Sequence, residues 1–391
     1  MDKRFDKVVE RHGTNCVKWD AVPEGVLPMW VADMDFETAP CVQEAVRKRA
    51  EHGVFGYTAV PPSYYESVCN WFAGRHGWRP EPSWIIYCPG IVPALSACVS
   101  AFTKPGDKVI IMSPVYNCFF SSIRNYGCTA LDVPLITVDD AGMPRYQIDF
   151  DALERAARDP AAKLMLICSP HNPAGRVWSR EELERVGRIC IDNGIVPVSD
   201  EIHCEFAMPG VKFVPFASIS PEFEKACVTL NSPSKAFNIA GLQISNIICA
   251  DPDIRARVDK AVNVNEICDV GPFGVVALQA AYTPEGLEWL TGLNERIADN
   301  YTYLTAFFHS RLPRFPVYRL EGTYLAWVNI KALGLPAPEV EKSLIEVEKV
   351  KVSNGAMYGQ DGFLRINMAC PPALLEDGLE RIARGLERLM K

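Results

Sequence analysis

The sequence predicts an α/β protein: a large domain built on a mostly parallel sheet flanked by helices, plus a smaller α+β domain. Three observations lead there. The middle of the chain alternates apolar runs of strand length with amphipathic helical stretches, the pattern of βαβ units in a sheet covered on both faces. From Pro284 onward the character changes to helix, short strands and a closing helix. The 391 residues allow two or three domains at roughly 100–200 residues each. The large domain is placed at residues 46–283. The small domain takes residues 284–391 together with the N-terminal segment 1–45.

In chain order, KVIIM (Lys108 to Met112) reads as a buried strand. DFDALERAARD reads as an amphipathic helix with Asp149 as its N-cap. KLMLICS follows as a strand. The next helix opens at Ser179 with Glu182 three residues on, a capping-box pattern, and stops at Asn193-Gly194. IVPVSDE and ACVTLNS are the next two strands. Beyond the boundary, helix is expected around Asn294 to Arg311, strands at TYLAWVNI and FLRINMA, and a closing helix from about Leu374 to Met390.

Bulk properties exclude several function classes. The formal charge is −8, and Lys and Arg alternate with Asp and Glu, so there is no basic face for nucleic acid. No apolar run approaches the ~18 residues of a membrane span, and the opening MDKRFDKVVERHG has no apolar core of a secretory signal. The 14 cysteines are scattered without a CxxC pair. Reduced thiols in a cytoplasmic protein are therefore expected, rather than a disulfide framework or a metal site. His203-Cys204 with Glu201 and Glu205 could suggest a metal, but strand neighbours point to opposite faces. No metal is expected.

Sheets of this kind place their chemistry beyond the carboxyl ends of the strands. Three chemically loaded residues fall there in succession: Asn172 after LMLICSPH, Asp200 after IVPVS, and Lys235 after CVTLNSPS. Singly, each has an ordinary reading as a turn residue, a helix cap or a solvated lysine. Together, an amine, a carboxylate and an amide on one rim suit pyridoxal 5′-phosphate (PLP). The amine attaches the cofactor and moves the Cα proton, the carboxylate keeps the pyridine nitrogen protonated, and the amide reaches the ring oxygen. CPGIVPALSACVSAF (Cys88 to Phe102) adds a glycine turn and a helix amino end for the phosphate. Arg365 supplies a planar fork for a substrate carboxylate. No GxGxxG follows a strand, which argues against a dinucleotide enzyme.

On these motifs the chain resembles a fold-type I PLP enzyme of the class I/II aminotransferase superfamily, with the aspartate aminotransferase-like fold. It is closer still to the MalY/PatB branch of cystathionine β-lyases, or C–S lyases. The resemblance runs from PMWVADMDF and GYT through PVY, SPHNPAGRVW and SDEIH to SPSKAFNIAGLQ, EGTYLAWVN and FLRINMACP. It implies that Lys235 is the Schiff-base lysine, that Asp200 pairs with the ring nitrogen, and that Asn172 pairs with the 3-oxygen, near which His203 also lies. It further implies that Tyr116 stacks on the ring and takes part in catalysis, and that Gly90, Ile91 and Ser232 bind the phosphate. Tyr57 would reach the phosphate of a neighbouring subunit in a homodimer. Arg365 would hold the substrate carboxylate, and Trp30 either belongs to the core or lines the substrate pocket. One departure is Gln243, which stands where general aminotransferases often carry a phosphate-binding Arg.

The strand-end residues serve transamination and β-elimination alike. The branch resemblance implies elimination: L-cystathionine or a related cysteine S-conjugate gives a thiol, pyruvate and ammonia. The alternatives are a PLP-dependent aminotransferase of aromatic or sulfur amino acids, and a PLP-binding regulatory protein.

Overall fold

The computed structural model describes residues 2–264 and 270–390. Its main sheet has seven strands in the spatial order Ile85–Cys88, Ser245–Ile248, Val228–Asn231, Val196–Asp200, Ala162–Cys168, Lys108–Ile111 and Thr129–Asp132. All run in one direction except Ser245–Ile248, which is antiparallel to both neighbours.

The apolar runs are continuous because both faces of this sheet are covered. Along Ala162–Cys168, Leu164, Leu166 and Cys168 enter one core, while Met165 and Ile167 enter the other. The first core is closed by helices Ile91–Phe102 and Pro252–Asn263 through Leu95, Val99 and Val258. The second is closed by helix Arg180–Asp192 through Leu183, Val186 and Cys190. Each such side chain contributes ~1.5–3 kcal/mol when fully buried.

The helix ends follow the local chemistry expected of them. Asp149 accepts a bond from Ala152 N at 2.9 Å. Ser179 and Glu182 form the full capping box, and the chain leaves that helix through Gly194 at φ +67°. One helix differs from expectation. It spans Pro284–Arg311, starting well before Asn294. Thr283 caps it by accepting a bond from Gly286 N, and Pro284 occupies the first position, where its missing N–H is harmless. The Thr283-Pro284 pair at the expected domain boundary is the helix start.

The C-terminal part holds an antiparallel sheet in the order Leu325–Asn329, Phe363–Asn367, Ser353–Asn354. The helix Pro372–Leu389 closes it, with Leu375, Leu379, Ile382 and Leu386 turned inward. The N-terminal strand Leu27–Pro28 pairs in parallel with Val350–Lys351, which delivers residues 30–36 to the junction of the two sheets. Among the described residues no helix is long and apolar enough to cross a membrane.

Trp327 ties the two parts together. Its ring stacks on Phe363 at 5.0 Å, and its Nε1 donates to the Tyr146 hydroxyl at 3.2 Å. Trp327→Ala removes a fully buried aromatic and leaves a cavity. A loss of ~3–5 kcal/mol is expected, read as a lower denaturant midpoint in an unfolding titration.

Candidate active site

The parallel strands present their carboxyl ends at one rim. Cys168 lies in register beside Asp200, and Asp200 beside Leu230, so the segments that follow these strands emerge together. A cavity of about 600 Å³ opens there, lined by Asn172, Asp200, His203, Lys235, Tyr116 and Arg365. Gly90, Ile91 and Trp30 complete its walls.

Local structure explains each placement. Lys235 sits in a short helix, Pro233–Ala236, whose first turn is capped by Ser232 accepting from Ser234 N at 3.0 Å. The Ser232 hydroxyl also donates to Ile244 O at 2.5 Å, and it is Ser234 that lines the cavity. Arg365 arrives from the middle of strand Phe363–Asn367. Its Nη1 donates to Asn172 Oδ1 at 3.1 Å and its Nη2 to Trp30 O at 2.7 Å. Trp30 is itself fixed by Nε1 bonded to Lys18 O at 3.2 Å and by Lys351 Nζ 4.0 Å over its ring. Tyr57 is 97% exposed and lies outside the cavity of its own chain.

The sequence assigns no role to several groups in or beside the cavity. The Lys235 amine donates to the carbonyl of Ala32 at 2.6 Å, and the buried Tyr324 hydroxyl donates to the same oxygen at 3.0 Å. Cys118 and Asn117 line the wall beside Tyr116. His76, Cys204 and Glu205 meet elsewhere. There the carboxylate of Glu205 accepts from Trp71 Nε1 at 2.7 Å, contacts His76 Nε2 at 2.9 Å, and pairs with Arg75 at 3.0 Å. Protein partners already occupy that carboxylate.

Burial sets the electrostatics. It pushes the Asp200 carboxyl up to about 7, against the pull of Ile202 N and Lys235. It pulls the Lys235 amine down to about 8, helped by Arg365 and opposed by Asp33 and Asp200. It pulls His203 down to about 3, with Lys235 and Arg365 adding to the effect, so this imidazole is neutral. The Tyr116 phenol is pushed up, again by burial first.

PLP requires an amine, an anion for its ring nitrogen, donors for its phosphate and a cation for the substrate. Asp200 is 2% exposed and has one backbone donor, Ile202 N at 3.2 Å. Helix Ile91–Phe102 begins at Gly90 with no side-chain cap, leaving its first N–H groups available to an anion. Among the described residues, His203 Nδ1 and Arg365 Nε are buried without partners. Unsatisfied polar atoms on a cavity wall are what a polar ligand completes. The residues present fit the group.

Comparison with known proteins agrees. The family described as aminotransferase class I and II matches residues 24–382. Cystathionine beta-lyase PatB of Bacillus subtilis is 42% identical, over 98% of this chain and 99% of that protein. Cystalysin of Treponema denticola, solved with pyridoxal 5′-phosphate, superposes with a TM-score of 0.94 at 35% identity over the whole of both chains. The PLP-bound C–S lyase of Staphylococcus hominis gives 0.90 at 34% identity, over 98% of each.

The Asp200 carboxyl titrates higher folded than unfolded, where about 4 is usual. Its contribution to stability is therefore fully present below about pH 4 and is lost as pH rises through about 7. Asp200→Asn removes that penalty. The cofactor-free variant is expected to melt a few degrees above the parent at pH 8, with the gap closing toward pH 4, in thermal melts across pH.

Proposed function

We infer that this chain, which belongs to the class I and II aminotransferase family, is a PLP-dependent carbon–sulfur β-lyase. It cleaves L-cystathionine or a related cysteine S-conjugate to a thiol (homocysteine from cystathionine), pyruvate and ammonia. The observation that carries this reading is the full-length likeness to a cystathionine β-lyase, in a chain whose cavity gathers an amine, a buried carboxylate and a forked cation.

When bound, PLP supplies the electron sink that makes the Cα–H of an amino acid acidic. The residues of the chain do the rest. Arg365 grips the α-carboxylate, with its fork oriented from two sides by Asn172 and Trp30. Fixing that carboxylate turns the Cα–H bond toward Lys235. The Lys235 amine, drawn down to about 8, holds a useful free-base fraction near neutrality and takes the proton. Asp200 keeps the ring nitrogen protonated. The oxygen of Asn172 is engaged by Arg365, which leaves its NH2 to donate to the 3-oxygen beside His203. Tyr116 would cover the ring face and Gly90 and Ile91 would serve the phosphate; Ser232 would join them only by turning its hydroxyl from Ile244 O.

Residues 46–283 form the cofactor-binding domain in this reading, with 1–45 and 284–391 as the small domain. Two chains pair so that each Tyr57 serves the other's phosphate, in a cytoplasmic enzyme of amino-acid metabolism. The exposure of Tyr57 supports a role outside its own subunit.

The test is to supply L-cystathionine to the PLP-loaded protein and follow pyruvate. Pyruvate is expected in step with thiol. No pyruvate, with ready amino transfer to a 2-oxo acid, would replace this reading with an aminotransferase. No turnover, with a stoichiometric protein partner in a pull-down, would favour a regulatory protein. Lys235→Ala is expected to lower turnover by ~10²–10⁴-fold and to abolish borohydride-fixed label at that position. Arg365→Lys, which keeps charge but loses the fork, is expected to raise KM by about tenfold or more.

A further inference from the structure

Residues 30–36 form neither strand nor helix, yet side chains from distant parts of the chain hold their backbone. Arg365 Nη2 and Ser353 Oγ donate to Trp30 O. Asn367 Nδ2 donates to Val31 O at 2.7 Å and Asp33 O at 2.6 Å. Asn238 makes three contacts at once. Its Oδ1 accepts from Met34 N at 3.0 Å, and its Nδ2 donates to Met34 O at 2.9 Å and Phe36 O at 2.8 Å.

Asn238 lies three residues after Lys235, and its N–H donates to Lys235 O at 3.4 Å. Its backbone is left-handed, φ +54°, which Asn tolerates better than most residues. A closed circuit results. It runs from the Lys235 backbone to Asn238, through the Asn238 amide to residues 34–36, back to the Ala32 carbonyl, and from there to the Lys235 amine at 2.6 Å.

We propose that Asn238 is a positioning residue for the reactive lysine. By fixing the stretch 32–36 it places the Ala32 carbonyl as the acceptor that holds the Lys235 amine whenever that amine is not covalently engaged. The inference rests on Lys235 being the reactive amine, not on which substrate bond is broken. An acceptor at 2.6 Å favours the ammonium form and opposes the effect of burial. The other groups facing that amine are Asp33 on the same stretch, Asp200 and His203 at the strand end, Cys118 from the helix beside Tyr116, and Arg365 from the small sheet. Asp33 shares the stretch that Asn238 holds, so losing Asn238 weakens two supports of the charged form together.

The experiment uses the full-length cofactor-free protein. Lys235 is titrated by the pH dependence of its reductive methylation, read peptide by peptide in a mass spectrometer. Asn238→Gly keeps the left-handed turn without strain and removes all three side-chain bonds. It is expected to lower the Lys235 titration midpoint by about one pH unit, the order of one charge-assisted hydrogen bond. Tyr324→Phe removes the competing donor on Ala32 O and is expected to leave the midpoint unchanged or higher. Val258→Ala, in the opposite core, is the control for general destabilisation and is expected not to move it. If Asn238→Gly does not fold, Asn238→Ala carries the same test, since it removes the same three bonds and adds no charge near the amine. A parental midpoint in the Asn238 variant, or an equal shift in Val258→Ala, would overturn the proposal. A Lys235 shift in a protein with no lyase activity would sink the lyase reading and leave this one standing.

Discussion

A carboxylate shut away from water at the end of a central strand is the constraint around which this molecule is arranged. Asp200 emerges from a strand with neighbours on both sides and covered faces, and one backbone N–H answers it. Such a group stays ionised only if positive charge is brought to it. The fold brings two cations to the same cavity, Lys235 from the next strand and Arg365 from the other sheet. Each resists burial in its own right. The cavity is thus a balance of opposed charges that a ligand with a protonatable ring nitrogen and anionic groups completes.

The N-terminal stretch makes that balance geometric. Asp35 is buried and triply held: Oδ1 accepts from Arg11 and Trp19, and Oδ2 from Lys18 at 2.7 Å. Lys18 is itself buried. A buried ion cluster is a weak source of stability, and its better-attested use is to specify one arrangement over others. Here the arrangement specified is the path of residues 30–36, and so the positions of Trp30 against Arg365 and of Ala32 against Lys235.

What was legible in the sequence was local. The capping box at Ser179 and Glu182 and the buried runs depend on spacing within a few residues, and both are present; Asn172, Asp200 and Lys235 do share one cavity at the strand ends. The helix expected around Asn294 to Arg311 extends back to Pro284, since the Thr-Pro pair at the domain boundary also serves as its cap. Ala32, Asn238, Tyr324 and Asn367 lie within the motifs that carry the resemblance, but their roles were not legible for another reason. Their partners lie more than 200 residues away, and a single asparagine or backbone carbonyl leaves no periodic trace. Arg176 is a further case. It is buried and bound to Glu182, to the Tyr146 carbonyl and to Glu321, partners that lie up to 145 residues away.

The parallel pairing of Leu27–Pro28 with Val350–Lys351 has a consequence for biosynthesis. Ribosomes deliver a chain from its amino end, and ordering a contact between distant segments requires both to be present. The carbonyls of Trp30, Val31 and Asp33 therefore lack their Arg365 and Asn367 donors until the strand carrying them has emerged, while Asp35 and residues 34–36 have partners that precede it in the chain. The large sheet can assemble earlier, together with the Asn238 contacts to residues 34–36, but the bonds from Arg365 and Asn367 close only when almost the whole chain exists. The cavity wall that Arg365 supplies is thereby the part of the reactive centre that synthesis delivers last.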